Sequence, residues 1–146
     1  MECQLATKVM LVDDETDFIE LMSQRLETRG LKVTAVTSGE EALASIDDKN
    51  IDVAVVDLAM PGIDGLQTLI QMKKIRPDIE VIMLTGHATV HSGIEAMKHG
   101  ASDYLEKPVD LNVLMEKIRK AKQDRMTALE EKSAEEVKHI LKSKSW

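Results

Sequence analysis

Three aspartates follow two of the most apolar stretches of this chain. Asp13 and Asp14 come directly after Lys8–Val12, and Asp57 comes directly after Ile51–Val56. Three carboxylates gathered at one place would repel one another and raise their own pKa values unless a cation neutralised them. Oxygen ligands of this kind suit Mg²⁺, which uses one or two protein carboxylates together with waters and a phosphate. We therefore expect a magnesium site if the fold brings the three aspartates together.

Two further side chains, Thr85 and Lys107, follow the last two apolar runs of the chain. Lys107 would supply a fixed cation for an anionic oxygen, and the Thr85 hydroxyl could hydrogen-bond another. Positioning and charge neutralisation provide most of the catalysis of phosphoryl transfer, and a carboxylate is a competent nucleophile for forming an aspartyl phosphate. Asp57 lies mid-sheet in the expected fold, whereas Asp13 and Asp14 are better placed to hold metal. Asp57 is therefore the expected phosphoryl acceptor.

Five short apolar runs, separated by amphipathic stretches, are the elements that must position these residues. The predicted strands are Lys8–Val12, Lys32–Val36, Ile51–Val56, Glu80–Leu84 and Asp103–Leu105. The predicted helices are Asp17–Arg29, Ser38 to about Asp48, Asp64–Ile75, Thr89–His99 and a last helix capped by Asp110. Five strands each followed by a helix predict an α/β fold, a doubly wound five-stranded parallel sheet with helices on both faces. Such a sheet places its working residues at the carboxyl ends of the strands.

Composition limits the class of protein. Hydrophobic residues make up 43% and charged residues 31% of the 146 residues, the balance of a soluble globular domain. No apolar run approaches the roughly 20 residues that a membrane-spanning helix needs, and the first four residues lack the basic start of a secretory signal. The single cysteine, Cys3, cannot form an internal disulfide. We therefore expect a cytoplasmic protein that does not associate with membranes.

Charge is divided unevenly along the chain. Residues 1–115 have a balance of −10, whereas residues 116–146 have a balance of +3 with both signs interspersed. An acidic body argues against binding to nucleic acid, because phosphate backbones need clustered Lys and Arg. The mildly basic tail is typical of a solvated helix face, so we expect no direct nucleic-acid binding by this chain.

The motifs around the candidate residues resemble those of the receiver domains of two-component response regulators. The matching segments are Asp13–Asp14, Asp57–Gly65, Leu84–His87 and Tyr104–Pro108. The resemblance covers about residues 7–122 and keeps the family's spacing, with Thr85 28 residues and Lys107 50 residues after Asp57. It implies the flavodoxin-like strand order 2-1-3-4-5.

The resemblance also implies roles for the acidic residues. Asp57 would receive a phosphoryl group from a sensor histidine kinase or a phosphotransfer protein. Asp14 would bind Mg²⁺ directly and Asp13 through water, and Asp57 and the backbone carbonyl of Ala59 would complete the protein ligands.

By the same resemblance, Thr85 and Lys107 contact the phosphoryl group, and Tyr104 swings inward as Thr85 moves. Phosphorylation would shift a two-state equilibrium whose output face is the fourth helix, fifth strand and fifth helix. The segment Leu84–Pro108 looks most like receivers of DNA-binding transcriptional regulators, so transcriptional control is the expected output. We also predict a cis Lys107–Pro108 peptide that aims Lys107 back across the sheet edge.

A phosphatase of the haloacid-dehalogenase type is the enzymatic alternative, because it also uses an aspartate nucleophile and Mg²⁺. That class carries a second aspartate two positions after the nucleophile, where this sequence has Ala59. A degenerate receiver that acts without phosphate is a third hypothesis, but all five site residues are retained. We therefore predict a phospho-accepting regulatory domain and not an enzyme, one that assists only its own phosphorylation and dephosphorylation.

We predict a receiver domain over residues 1–122 and a charged helical extension over residues 123–146. The roughly 25 residues after the predicted receiver domain are too few for an effector domain, so the sequence leaves open a free-standing receiver and a fragment of a longer regulator. Apolar residues recur at eleven-residue spacing in two series: Met115, Met126, Val137 and Ile118, Leu129, Ile140.

Eleven residues make close to three helical turns, so both series lie along one side of a single long helix. We predict that the fifth helix extends past Arg125 toward Leu141. A homodimer could then form through this helix and the output face. A frayed, charged terminus is the alternative.

Overall fold

The computed structural model describes residues 6–47, 50–60, 62–86 and 90–143. The strands are β1 (Lys8–Val12), β2 (Lys32–Val36), β3 (Val53–Asp57), β4 (Glu80–Thr85) and β5 (Asp103–Glu106). The helices are α1 (Thr16–Thr28), α2 (Gly39–Ser45), α3 (Gly65–Ile75), α4 (Val90–Lys98) and α5 (Leu111–Ser143). Several sequence-based positions lie outside the described residues: Cys3, the predicted helix ends Asp48 and Thr89, the motif residues Pro61 and His87, and the outer ends of the two predicted domain ranges.

All five strands are parallel and lie in the order β2-β1-β3-β4-β5, which confirms the predicted topology. Val12 pairs with both Val36 and Val56, and Asp57 pairs with Leu84. This register brings the carboxyl ends of β1, β3 and β4 to one edge of the sheet. The site residues that follow these strands are therefore neighbours in space.

The core has two layers, one on each face of the sheet. Met10 and Val12 of β1 point into a layer covered by α2, α3 and α4, and Val9 and Leu11 point into a layer covered by α1 and α5. Side chains of a strand alternate between faces, so every second residue enters the same layer. All five residues of β3 are buried, as expected for a central parallel strand covered on both sides.

Local signals in the sequence begin and end the helices. The side chains of Ser38, Asp64 and Asp110 accept hydrogen bonds from backbone N–H groups in the first turns of α2, α3 and α5, which satisfies donors that a helix leaves unpaired. Gly30 and Gly100, at φ of +92° and +96°, follow α1 and α4 and adopt the left-handed conformation common after helices. The cap at Asp110 confirms the sequence-based prediction.

The bounds of three strands differ from the sequence-based expectation. β3 begins at Val53 and not at Ile51, because Asp52 makes its own link to the first strand. The Asp52 carboxylate accepts a hydrogen bond from the Lys8 N–H, and the Asp52 N–H donates to the Lys8 carbonyl. At the other ends, β3, β4 and β5 each run one residue further than predicted, to Asp57, Thr85 and Glu106.

α5 is the longest element, with 33 residues. It passes Arg125 and Leu141, as the eleven-residue series predicts. Ala121 is the last of its buried residues, and Leu129 is half-buried. In the part of the chain that the structure describes, no helix has the length and apolarity to cross a membrane.

Candidate functional site

Hydrogen bonds extend the sheet slightly beyond its strands at the edge where the candidate residues lie. The Asp13 N–H donates to the Val36 carbonyl, and the Lys107 N–H donates to the Thr85 carbonyl at 2.7 Å. Asp13, Asp57 and Thr85 are all buried, with 2%, 5% and 2% of their surfaces exposed. These side chains are therefore fixed by the sheet itself.

Gly65 lets the first turn of α3 lie directly against the backbone at the end of β3. Its N–H donates to the Leu58 carbonyl at 2.8 Å. A Cβ at this position would lie 2.1 Å from the Asp57 carbonyl oxygen and 2.5 Å from Leu58 Cα. Only glycine fits without backbone movement, and this contact helps fix the position of Asp57.

The three aspartates predicted to bind metal come together. One carboxylate oxygen from each of Asp13, Asp14 and Asp57 lies within 4.8 Å of the others, and Asp14 is exposed while the other two are buried. Hard oxygen donors with one open side suit Mg²⁺, which keeps several of its waters. The donor set therefore fits the expected ion.

Lys107 places its ammonium group among the carboxylates of this edge. Its Nζ lies 2.5 Å from Asp13 Oδ2, 2.9 Å from Glu15 Oε1 and 3.9 Å from Asp57 Oδ2. It also lies 4.3 Å from the centre of the Phe18 ring, where a cation is attracted by the aromatic face. Lys107 is thus a held cation, nearest to Asp13 and close to Asp57.

The Asp57 carboxyl group differs in its pKa from an ordinary surface aspartate. Burial, followed by repulsion from Asp13, raises the pKa of Asp57 to about 6, although Lys107 acts in the opposite direction. Burial alone would lower the pKa of Lys107, but hydrogen bonds to Asp13 and Glu15 raise it. A divalent cation bound at this site would relieve the repulsion between Asp13 and Asp57.

Comparison with known proteins decides which family has this arrangement. The family model described as the response regulator receiver domain matches residues 9–119, most of the chain. The chain belongs to this family. The match begins at the second residue of β1 and ends within α5, so the later part of α5 lies beyond it.

Relatives of this receiver domain include much longer proteins. The C4-dicarboxylate transport transcriptional regulatory protein DctD of Rhizobium meliloti is 33% identical over 128 residues, which are 88% of this chain and 28% of DctD. The transcriptional regulatory protein ZraR of Salmonella typhimurium is 35% identical over 113 residues, 77% of this chain and 26% of ZraR. The chain thus spans only about a quarter of the length of these relatives.

Solved receiver domains match in size as well as in fold. The CheY-like receiver domain protein of Methanospirillum hungatei has a TM-score of 0.81 at 29% identity, with 85% of this chain and 99% of that chain covered. A receiver domain protein from Clostridium thermocellum has a TM-score of 0.80 at 35% identity, with coverage of 84% and 98%. The five-stranded architecture of this receiver is therefore that of its family.

Tyr104, the predicted switch residue, packs against α4 in this receiver domain. It lies opposite Met83 in the sheet and is half-buried. Its hydroxyl is 2.5 Å from Ser92 Oγ, and a Cβ on Gly93 would lie 3.0 Å from the edge of its ring. Tyr104 therefore links β5 to α4, two of the three elements of the expected output face.

The Lys107–Pro108 peptide is cis, which confirms the sequence-based prediction. Ala59 is exposed, and its N–H donates to Asp57 Oδ1 at 3.4 Å. The role of its carbonyl as a metal ligand stays a prediction. Sequence reasoning missed Glu15 and Phe18 as partners of Lys107. The one available signal was their nearness to Asp13 in the chain.

An open cleft of about 480 Å³ lies beside Lys107. Its wall is mainly apolar, with charged groups at intervals: Glu15, Phe18, Leu21, Met22, Arg25, Gly86, Lys107, Pro108 and Val109. The cleft therefore leaves the Lys107 side of the site open to the surface.

Proposed function

We propose that this receiver domain accepts a phosphoryl group on Asp57 from a sensor histidine kinase or a phosphotransfer protein. The observation that carries the proposal is the meeting of a buried Asp57, two further carboxylates and the Lys107 ammonium at one sheet edge. A carboxylate oxygen of Asp57 forms a new bond to phosphorus as the bond to the donor's imidazole nitrogen breaks. The electron pair of that bond leaves with the imidazole.

Asp13, Asp14 and Asp57, with the Ala59 carbonyl, would hold Mg²⁺. When bound, the ion supplies positive charge against the transferring oxygens. Lys107 contributes the fixed cation of the protein itself, and the Thr85 hydroxyl contributes a hydrogen bond to the phosphoryl group. By these roles the domain assists only its own phosphorylation and dephosphorylation, and it does not turn over a separate substrate.

The proposed output is a shift between two conformations, in which Thr85 and Tyr104 move together. The hydrogen bond between Tyr104 and Ser92 couples β5 to α4, so a change at Thr85 that displaces Tyr104 would alter the face formed by α4, β5 and α5. Since DctD and ZraR are named as transcriptional regulatory proteins, we propose transcriptional control in the cytoplasm. Residues 1–122 would be the receiver unit and residues 123–146 its helical extension.

Incubation with acetyl phosphate tests this function directly. We expect intact-mass measurement to show one added phosphoryl group per chain when Mg²⁺ is present, and none when the metal is removed with EDTA. The same samples are then offered p-nitrophenyl phosphate. Steady release of nitrophenol would support the haloacid-dehalogenase alternative, and no uptake with Mg²⁺ present would support a degenerate receiver.

We also propose that the extension of α5 pairs with a second copy of the chain. Apolar side chains remain exposed along it, with Met126, Val137, Ile140 and Leu141 between 44% and 65% accessible. A narrow apolar stripe on a helix in water is poorly stable by itself, and a partner helix would cover it.

Light scattering at high protein concentration should therefore give the mass of a dimer for the wild type. Replacing Val137 and Ile140 together by serine should shift the mass to that of a monomer, because the stripe is lost. Lys138→Ser, on the same helix, is the matched control and should stay dimeric. A wild type that is monomeric both with and without beryllofluoride contradicts the pairing.

A further inference from the structure

A second charged cluster lies at the amino ends of β3 and β4, on the sheet edge opposite Asp57. Asp52 directly precedes β3, and Asp78 lies in the connection from α3 to β4. Arg125 of α5 reaches both carboxylates, with its Nη1 2.7 Å from Asp52 Oδ1 and its Nε 2.9 Å from Asp78 Oδ2. The side chains of Arg125 and Asp52 are only 12% and 14% exposed. This pairing is therefore largely removed from water.

Both carboxylates are also tied to the body of the domain. Asp52 Oδ2 accepts a hydrogen bond from the Lys8 N–H at 2.9 Å, and Asp78 Oδ2 accepts one from Arg76 Nη2 at 3.1 Å. Partial burial alone would raise the pKa of Asp78, but the hydrogen bonds from Arg76 and Arg125 hold it below its usual range. Asp52 and Asp78 are thus fixed acceptors that Arg125 joins from a separate helix.

Arg125 stands where α5 leaves the domain. Within residues 111–141 of α5, Ala121 is the last buried residue, Leu129 is half-buried, and residues 130–141 are all exposed. Arg125 lies one turn beyond Ala121, so its two ion pairs act at the junction between the packed and the projecting parts. A guanidinium group suits this position, because its planar fork presents N–H groups in two directions while an ammonium acts as a single point charge.

We propose that Arg125 is a positioning residue that locks the extension of α5 to the amino ends of β3 and β4. The extension then moves with these strand ends as one body and does not hang from the domain as a flexible tether. This role is independent of the phosphoryl chemistry at the opposite edge. The extension of α5 would therefore project from the receiver in one fixed direction.

Distances between two spin labels test the lock. Cys3 is replaced by serine, labels are attached at Glu20→Cys and Glu136→Cys, and labelled chains are diluted with unlabelled protein so that only distances within one chain are recorded. For the parent protein we expect a single narrow distribution of distances between the two labels. Arg125→Gln should broaden it at least about twofold, because the projecting helix loses its fixed acceptors.

Two further variants test whether the geometry of the guanidinium group matters, and not only its charge or a general destabilisation of α5. Arg125→Lys keeps the charge but cannot span both carboxylates, so it should also broaden the distribution. Arg119→Gln removes the same charge from an exposed position of α5 and should leave the distribution narrow. If Arg125→Gln does not fold, Asp52→Asn is the milder change and should give an intermediate width.

Hydrogen exchange gives a second readout, since amides of residues 122–135 should exchange roughly tenfold faster in Arg125→Gln than in the parent. Uptake of phosphate at Asp57 should be unchanged. A distribution that stays narrow in both Arg125→Gln and Arg125→Lys overturns the proposal. So does one that is already broad in the parent protein.

Discussion

Replacing Asp57 by asparagine should reduce phosphate incorporation from acetyl phosphate to background, even with Mg²⁺ in excess. The amide has nearly the shape of the carboxylate but lacks the anionic oxygen that forms the bond to phosphorus. It also removes the negative charge of one of the three carboxylates that meet within 4.8 Å in the acidic cluster. Intact-mass measurement over a time course compares the variant with the wild type.

The control for this loss is a carboxylate away from the site. Asp47 is exposed and follows α2, and Asp47→Asn should incorporate phosphate at the wild-type rate. Phosphate on the Asp57→Asn chain, carried by another residue, would show that the acceptor was wrongly assigned. A stable, folded Asp57→Asn protein with normal uptake would remove the basis of the proposed function.

Asp57→Asn should also stabilise the metal-free protein against unfolding at neutral pH. Asp57 has a pKa of about 6 in the folded state against an ordinary value of 3.8, so the folded state holds this proton more tightly than the unfolded chain. As pH rises from about 4 to about 6, the unfolded chain loses the proton first, and the free energy of unfolding falls. Above about pH 6 the full penalty, on the order of 2 to 3 kcal/mol, is present.

Asp57→Asn removes this penalty. In urea unfolding with EDTA present, the free energy of unfolding of the variant should exceed that of the wild type by roughly 2 kcal/mol at pH 7.5 and by much less at pH 4. Adding Mg²⁺ should narrow the gap at pH 7.5, because the ion binds the folded wild type through Asp57 and stabilises it. Asp47→Asn serves again as the control. A gap that is equal at both pH values would mean that Asp57 is not strained by burial.

The sheet and its site could be predicted because the signals are carried by single residues at strand ends. Parallel pairing brings all carboxyl ends to one edge, so Asp13, Asp57 and Thr85 meet whatever the details of the helices. The contacts of Glu15 and Phe18 with Lys107 were not predicted, because they depend on the position of the first turn of α1.

The lock at Arg125 is harder still to foresee. It needs a helix residue to meet two loop carboxylates that lie 73 and 47 positions away in the chain. In the sequence, Arg125 is one charge among many in a mixed helix. Only the path of α5 across the sheet singles it out.

The division of the core into two layers has a consequence for how this domain can change over time. β1 sends Met10 and Val12 to one layer and Val9 and Leu11 to the other. Substitutions in separate layers share few neighbours, so their effects on stability should add. The helices of one face can therefore drift in sequence, and acquire new binding partners, without forcing matching changes beneath the helices of the other face.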